Sequence, residues 1–176
     1  TVCDGSIGSL CSAMPPRLAN AFDTPEAKRQ YVRRLFATIA DRYDFITRFL
    51  SFGRDRRWKT RLVELANVRA GDRVFDLACG TGAVAERAVE TGAEVVGIDL
   101  APALIEQAKG RAEERGLEID YRVGDVEALE LEDASFDRVG STCGVMFAPD
   151  HPAIARELAL VTRPGGRIAL ACWTPE

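Results

Sequence analysis

The features that this sequence lacks argue against several classes of protein. It has one histidine, and its five cysteines (Cys3, Cys11, Cys79, Cys143 and Cys172) form no C-x-x-C pair, so we expect neither a zinc site nor a disulfide framework. It contains no G-x-S-x-G and no P-loop, the motifs of many hydrolases and kinases. No apolar run reaches the ~18 residues that cross a bilayer. A net charge of −4 argues against a nucleic-acid-binding surface.

The composition that is present is typical of a soluble globular protein, with 47% hydrophobic and 28% charged residues among 176. Scattered cysteines favour a reducing, cytoplasmic location, and the first residues show no secretory signal. We divide the chain into a flexible lead (1–23), an N-terminal helical cap (24–68) and an α/β core (69–176).

The cap is predicted to hold two helices. Thr24 can cap the first, with Pro25 at its first position. We expect Asp55 to cap the second. Its exposed side carries a basic run that is either a solvated face or a contact for an anionic or membrane-bound substrate. The first helical face repeats every three or four residues, with a break expected near Asp44; its apolar positions are Val32, Leu35, Phe36, Ile39, Tyr43, Ile46 and Leu50.

From Gly71 onward, strands alternate with helices. The predicted strands are RVFDLA, EVVGIDL, IDYRV, FDRVGSTC and RIALACW, with RPGG forming a turn before the last. This alternation predicts a Rossmann-like, doubly wound parallel sheet. Ligands of such sheets bind beyond the carboxyl ends of the strands.

A glycine loop follows the first of these strands, in VFDLACGTG. Gly80, Gly82 and Ala85 fit the G-x-G-x-x-A spacing of dinucleotide sites, so an NAD(P)-dependent oxidoreductase is one reading. Asp76 opposes it, because a carboxylate near a pyrophosphate adds like-charge repulsion. The same carboxylate would attract a ligand that carries an ammonium group.

Two further acids end the next strands. Asp99 lies nineteen positions after Gly80, where an acid can bind both hydroxyls of a ribose. Asp125 could accept from an adenine amine, and the Val126 N–H could bond a ring nitrogen. Since all three acids fall at one sheet edge, their order predicts S-adenosyl-L-methionine as the ligand.

The blocks VFDLACGTG, VVGIDLA, GDVEAL, FDRVGSTCGV and LVTRPGGRIAL resemble class I S-adenosylmethionine-dependent methyltransferases over about residues 70–173. The resemblance implies a small-molecule methyltransferase. It implies cofactor contacts at Asp76, Ala78, Gly80, Thr81, Gly82, Asp99, Leu100, Asp125, Val126 and Thr142. It implies no metal. A non-catalytic cofactor-binding module is the remaining alternative.

The cap segment LFATIADRYDFITRFLSFGRDRRWK is similar to the N-terminal signature of the ubiquinone/menaquinone C-methyltransferases. That resemblance implies a quinone-type ring carbon as acceptor, with Arg42, Tyr43, Asp44 and Trp58 facing the pocket. Packing in the core explains Tyr43 as well as a position facing the pocket does. The blocks CGVMFAPDH and LACWTPE depart from this signature and look more like methyltransferases of unassigned acceptor.

Methyl transfer from a sulfonium is an in-line displacement that needs alignment and exclusion of water but no nucleophilic residue. A base helps when the acceptor is a ring carbon or phenol. His151, Asp44 and Tyr43 are candidates, with a surface position the favoured reading for His151, and no catalytic residue is assigned.

The resemblance to class I enzymes implies a seven-stranded sheet, whereas five strands are predicted here. We therefore expect either a fragment of a longer protein or a sheet edge covered by another chain, including a second copy.

Overall fold

The structure, a computed structural model, describes residues 24–172. The predicted lead, residues 1–23, lies outside this range. In chain order the helices are α1 (Pro25–Ile39), α2 (Tyr43–Leu50), α3 (Asp55–Ala66), α4 (Ala83–Val89), α5 (Pro102–Glu114) and α6 (His151–Val161). The strands are β1 (Arg73–Leu77), β2 (Glu94–Asp99), β3 (Asp120–Val123), β4 (Phe136–Thr142) and β5 (Thr162–Ala171). Two 3₁₀ turns, Ala40–Arg42 and Val145–Phe147, complete the set.

The five strands form one parallel sheet in the order β3-β2-β1-β4-β5. From β1 the chain winds outward through β2 to β3, then returns to β4 on the other side of β1 and continues to β5. The winding therefore reverses between β1 and β4, where Asp76 stands opposite Gly140. This topology confirms the predicted Rossmann-like fold and places the ligand crevice at the carboxyl ends of these strands.

Each face of the sheet is covered by its own apolar cluster, because neighbouring residues of a strand point to opposite faces. Val74 of β1 packs with Ala85 of α4 and Ile105 of α5. Phe75, the next residue, belongs to the opposite cluster with Leu158 of α6. These helices hold the sheet rigid under the loops at its carboxyl edge.

The N-terminal cap packs across that edge. The Thr24 hydroxyl accepts from the Ala27 N–H at 3.1 Å, which confirms the predicted helix start. Phe36 and Tyr43 of the cap pack against Leu104 at the beginning of α5. The cap thus roofs the crevice instead of extending away from the core.

One predicted helical face is broken by the 3₁₀ turn Ala40–Arg42. A 3₁₀ helix advances about 120° per residue, against about 100° in an α-helix, so three residues rotate the face by roughly 60°. Leu50, predicted on the buried face, is the last residue of α2 and is 70% exposed, whereas Tyr43 and Ile46 on the same side of the helix are half-buried.

Two local predictions were wrong. Asp55 is the first residue of α3 and not its cap, because its carboxylate accepts from the Ser51 hydroxyl (3.1 Å) and from Lys59 (3.3 Å). The RPGG segment is not a separate turn but part of β5, where Gly165 at φ +80° accompanies a register shift opposite Phe136 and Arg138. A bulge of this kind lets the strand begin at Thr162.

Candidate functional site

The glycine loop after β1 adopts a backbone that few side chains permit. Gly80 and Gly82 have φ of +56° and +83°, and Gly82 directly precedes α4. A Cβ on Gly82 would lie 2.1 Å from the hydroxyl oxygen of Tyr121, which donates to the Gly82 carbonyl at 3.4 Å. Glycine at position 82 is therefore required by both backbone conformation and space.

Asp99, the last residue of β2, joins this loop to the start of α5. Its two carboxylate oxygens accept from the N–H groups of Gly80 and Ala101, each at 2.9 Å. Within residues 24–172 no basic side chain pairs with it. Burial raises the pKa of Asp99, opposed by these backbone hydrogen bonds. The result is a fixed, buried acceptor at the crevice.

Asp76 is more deeply placed than Asp99. Only 1% of its surface is exposed, and its carboxylate accepts from the Ala85 N–H at 3.0 Å. Burial raises the pKa of Asp76 to about 7, although the Ala85 hydrogen bond opposes the shift. Asp76 thus lies beneath the glycine loop, and it changes charge close to neutral pH.

Asp125 faces a cation of the cap. Arg29 of α1 lies 3.2 Å from the Asp125 carboxylate and also pairs with the buried carboxylate of Glu127. Glu127 accepts in addition from the Asp150 N–H at 2.6 Å. Charge-assisted bonds to Glu127, with the nearby Asp125, raise the pKa of Arg29. This cluster fastens α1 to the loop after β3.

A cavity lies between the cap and the carboxyl edge of the sheet, with walls from α1, the start of α2, the glycine loop and the loops after β2, β3 and β4. We call it the main cavity. Seven of the ten predicted cofactor residues line it. They are Ala78, Gly80, Asp99, Leu100, Asp125, Val126 and Thr142. Asp76, Thr81 and Gly82 lie outside the wall.

One polar atom of the main cavity's wall has no partner. The Thr142 hydroxyl, at the end of β4, is buried and makes no hydrogen bond within the part of the chain that the structure describes. Together with Asp99 and Asp125, it gives the wall acceptors suited to hydroxyl, amine and ammonium groups. Within residues 24–172 no cluster of three or more His, Cys, Asp and Glu could hold a metal ion.

The roof of the main cavity is aromatic. Phe36 of α1 contacts Tyr43 edge-on, with ring centroids 5.7 Å apart, and contacts Phe147 in the same way at 5.3 Å. The Tyr43 ring also lies 3.7 Å from the point where a Cβ on Gly80 would stand. Tyr43 therefore both packs in the cap and faces the glycine loop, so the two readings of its role are compatible.

The other three substrate-side candidates are placed elsewhere. Asp44 accepts from the Thr81 hydroxyl at 2.6 Å and pairs with Arg111, so it fastens α2 to the glycine loop and to α5. Arg42 is exposed and lines no part of the main cavity. Trp58 borders a neighbouring cavity, which meets the main one at Thr142 and Cys143. His151 is exposed at the start of α6, as its surface reading predicts.

The sequence did not predict the role of several residues of the main cavity. Phe36 belongs to the predicted apolar face, but nothing in that face distinguishes a cavity roof from a core. Arg29 carries no signal at all, because its partners Asp125 and Glu127 lie almost a hundred positions away. Such a pair can be seen only once the chain is folded.

Comparison with known proteins identifies the family of this chain. The model of the ubiE/COQ5 methyltransferase family matches residues 24–173. This chain belongs to the ubiE/COQ5 methyltransferase family. The family and its fold imply S-adenosyl-L-methionine as the cofactor, and the match extends through the second half of the chain, where the sequence departs from the quinone-enzyme signature.

Individual relatives show how much of the family this chain spans. It is 43% identical over 145 residues to demethylmenaquinone methyltransferase of Thermus thermophilus, covering 80% of this chain and 65% of that protein. It is 48% identical over 115 residues to an uncharacterized protein of Mycobacterium tuberculosis, covering 65% and 42%. The chain thus spans less than two thirds of the length of these relatives.

A solved structure shares the fold as well. The [4+2]-cyclase SpnF matches with a TM-score of 0.63 and 26% identity, covering 65% of this chain and 43% of that one. The similarity agrees with the parallel sheet and crevice described above.

Proposed function

We propose that this ubiE/COQ5 family chain binds S-adenosyl-L-methionine in the main cavity and forms part of a methyltransferase acting on a small molecule. The observation that carries the proposal is Asp99, a buried carboxylate held by the N–H groups of Gly80 and Ala101 and left without a basic partner within residues 24–172. A neutral diol can donate to such a carboxylate where a phosphate would be repelled.

The remaining polar groups fit the other parts of the cofactor. Asp125 and the Val126 N–H would hold the adenine, with Arg29 beside them closing that end. The glycine loop and Thr142 would lie along the ribose and methionine portion, which carries the ammonium. Asp76 would act from beneath the loop as the counter-charge to that ammonium, and Ala78 and Leu100 would supply apolar wall.

The bound cofactor supplies an electrophilic methyl group on a positively charged sulfur. This chain would align the acceptor with it and exclude water, for which the aromatic roof of Phe36, Tyr43 and Phe147 is suited. Burial raises the pKa of Tyr43, so its phenol is protonated at neutral pH and can donate but not act as a base. No residue is assigned as general base.

We propose a quinone-type ring carbon as the acceptor. The support is the similarity to a protein named demethylmenaquinone methyltransferase, together with the cap segment that resembles the quinone enzymes. We further expect the protein to act in the cytoplasm, and expect the exposed apolar strand β5 to be an edge for association with other strands or with a second copy.

A different reaction on the same fold is the main alternative, since the fold of SpnF carries a cyclase and fold alone does not determine function. A nicotinamide enzyme is not favoured. The carboxylate of Asp76 lies beneath the loop that a pyrophosphate would approach, Asp125 suits an amine, and family membership points the other way.

Competition binding tests the proposal. Titration of the chain with S-adenosylhomocysteine should give saturable binding that an excess of NADH does not displace. The full-length protein, incubated with methyl-labelled cofactor and a demethylated quinol, should yield a product in which the labelled methyl group replaces one ring hydrogen. Binding of NADH to the chain, without any binding of S-adenosylhomocysteine, would contradict the cofactor assignment. Cofactor binding with label transferred to none of a panel of quinols would contradict the acceptor.

A further inference from the structure

The surface of α2 is apolar where a helix of a soluble protein is normally polar. Phe45 and Phe49 stack on each other, with ring centroids 6.2 Å apart, and are 72% and 70% exposed. Phe52, in the turn that follows, is 92% exposed. We call these three residues the aromatic face. Three phenylalanines exposed to this degree within eight residues are costly in water unless they contact another surface.

The same helix is anchored to the body of the protein by its opposite side. Tyr43, Ile46 and Thr47 are half-buried, and Tyr43 lines the main cavity. The aromatic face therefore belongs to a helix whose inner side is already committed to the cap. It is held outward on a fixed support.

Basic side chains flank the aromatic face along the chain. Arg48 lies on α2, and Arg54, Arg56 and Arg57 follow Phe52 within five residues, all four exposed. We call them the basic rim. Within residues 24–172 none of the four guanidinium groups forms an ion pair. Unpaired arginines beside exposed phenylalanines leave both the charge and the apolar area available to a partner.

The charge of this segment is opposite to that of the rest of the chain. Residues 42–61 carry seven basic and two acidic side chains, a net charge of +5, although the whole chain has −4 and the remainder therefore −9. The positive charge is thus concentrated in the segment that carries the aromatic face. This pattern complements an anionic, apolar partner and not a polyanion that would run along the negative remainder.

We infer that the aromatic face and basic rim form a docking surface for an anionic lipid bilayer. The phenylalanines would enter the boundary between head groups and acyl chains, while the arginines, on their long apolar stems, would reach the lipid phosphates. No described helix is long and apolar enough to cross a membrane. Since α2 begins at Tyr43 in the main cavity, docking here would hold the cavity close to the bilayer surface.

This inference does not depend on the proposed methyl transfer, because it can be tested without cofactor or acceptor. Vesicles of equal parts phosphatidylglycerol and phosphatidylcholine, and vesicles of phosphatidylcholine alone, are mixed with the chain and sedimented. We expect at least a tenfold stronger partition to the anionic vesicles, weakening as salt is raised. The double variant Phe49→Glu/Phe52→Glu and the double variant Arg56→Glu/Arg57→Glu should each lower that partition at least tenfold.

Leu160→Glu and Arg156→Glu are the matched controls, because both positions are exposed on α6, outside the aromatic face and basic rim. They should partition like the wild type. A second measurement uses a conservative substitution, so that a loss of folding cannot explain its result. In Phe52→Trp, the fluorescence of the added tryptophan should be quenched by brominated acyl chains in anionic vesicles.

Three outcomes would overturn the inference. The first is equal partition of the wild type and the phenylalanine variant, or no binding to anionic vesicles. The second is a concentration-dependent dimer that the phenylalanine variant abolishes while vesicles bind neither protein, which would assign the face to a second copy. The third is tighter binding to a single-stranded oligonucleotide than to the vesicles, lost in the same variants.

Discussion

Replacing Asp76 by asparagine should stabilise the protein relative to the wild type, and the gain should be larger at alkaline pH than at acidic pH. The carboxylate is buried beneath the glycine loop, and burial raises its pKa to about 7. Asparagine has nearly the same shape, and its side-chain carbonyl can still accept from the Ala85 N–H. The substitution thus removes the cost of a buried charge and keeps the hydrogen bond.

The magnitude follows from the difference between the folded pKa of about 7 and the ordinary 3.8. Because the folded value is the higher one, the folded state retains the proton. Stability linked to this group is complete below about pH 4 and is lost as the pH rises through 7. Between pH 5 and pH 8 the wild type should lose roughly 2 to 3 kcal/mol that the Asp76→Asn variant does not lose.

Urea unfolding of both proteins at pH 5 and pH 8 measures this difference. Asp137→Asn is the control, because hydrogen bonding to the Arg73 N–H and to Arg163 lowers the pKa of Asp137. That carboxylate is ionised at both pH values, so its replacement should have the same effect at each. An Asp76→Asn effect that is equal at pH 5 and pH 8 would refute the reasoning.

The same variant should bind S-adenosylhomocysteine more weakly even though it is more stable, which is the expected trade-off at a functional site. If the ammonium of the ligand requires ionised Asp76, wild-type affinity should rise about tenfold between pH 6 and pH 8, following the ionised fraction around a pKa of 7. The variant should lose that dependence.

Two further predictions concern the loop and the cap. Gly82→Ala places a Cβ 2.1 Å from the Tyr121 hydroxyl at positive φ and should cost roughly 2 to 6 kcal/mol in urea unfolding, whereas Gly116→Ala, at φ +63° with nothing within 4 Å, should cost about 1 kcal/mol; equal losses would contradict the packing argument. Arg29→Gln leaves the buried Glu127 without its cation and, allowing for the partly exposed Arg29, should lower the free energy of unfolding by about 1 to 3 kcal/mol, an effect that an unchanged denaturation midpoint would exclude.

The sheet could be predicted from the sequence because its evidence is local. The first two strands are apolar runs that end close to a glycine or an acid, and Pro102 and Gly116 mark the limits of a helix that the structure places at Pro102–Glu114. The chain order of such elements allows few topologies. The acids Asp99 and Asp125 follow from the same logic, since parallel strands bring their carboxyl ends to one edge.

The contacts between the cap and the core could not be predicted. Asp44 was expected to face the acceptor, but it pairs with Arg111, sixty-seven positions along the chain, and accepts from Thr81. Such pairings depend on how a helix of the cap lies on the core, which no periodicity reveals. The exposure of Leu50 at the end of α2 is equally hidden, because its spacing places it on the same side as the half-buried Tyr43 and Ile46.

The central claim is that Asp99 holds a nucleoside cofactor in the main cavity. Calorimetric titration with S-adenosylhomocysteine tests it most directly, on the wild type, on Asp99→Asn and on Asp137→Asn. Asp137, which accepts a backbone N–H as Asp99 does, lies outside the main cavity. We predict roughly micromolar binding by the wild type and by Asp137→Asn, and at least tenfold weaker binding by a folded Asp99→Asn. Equal affinity in all three proteins, or binding by none, would contradict the account.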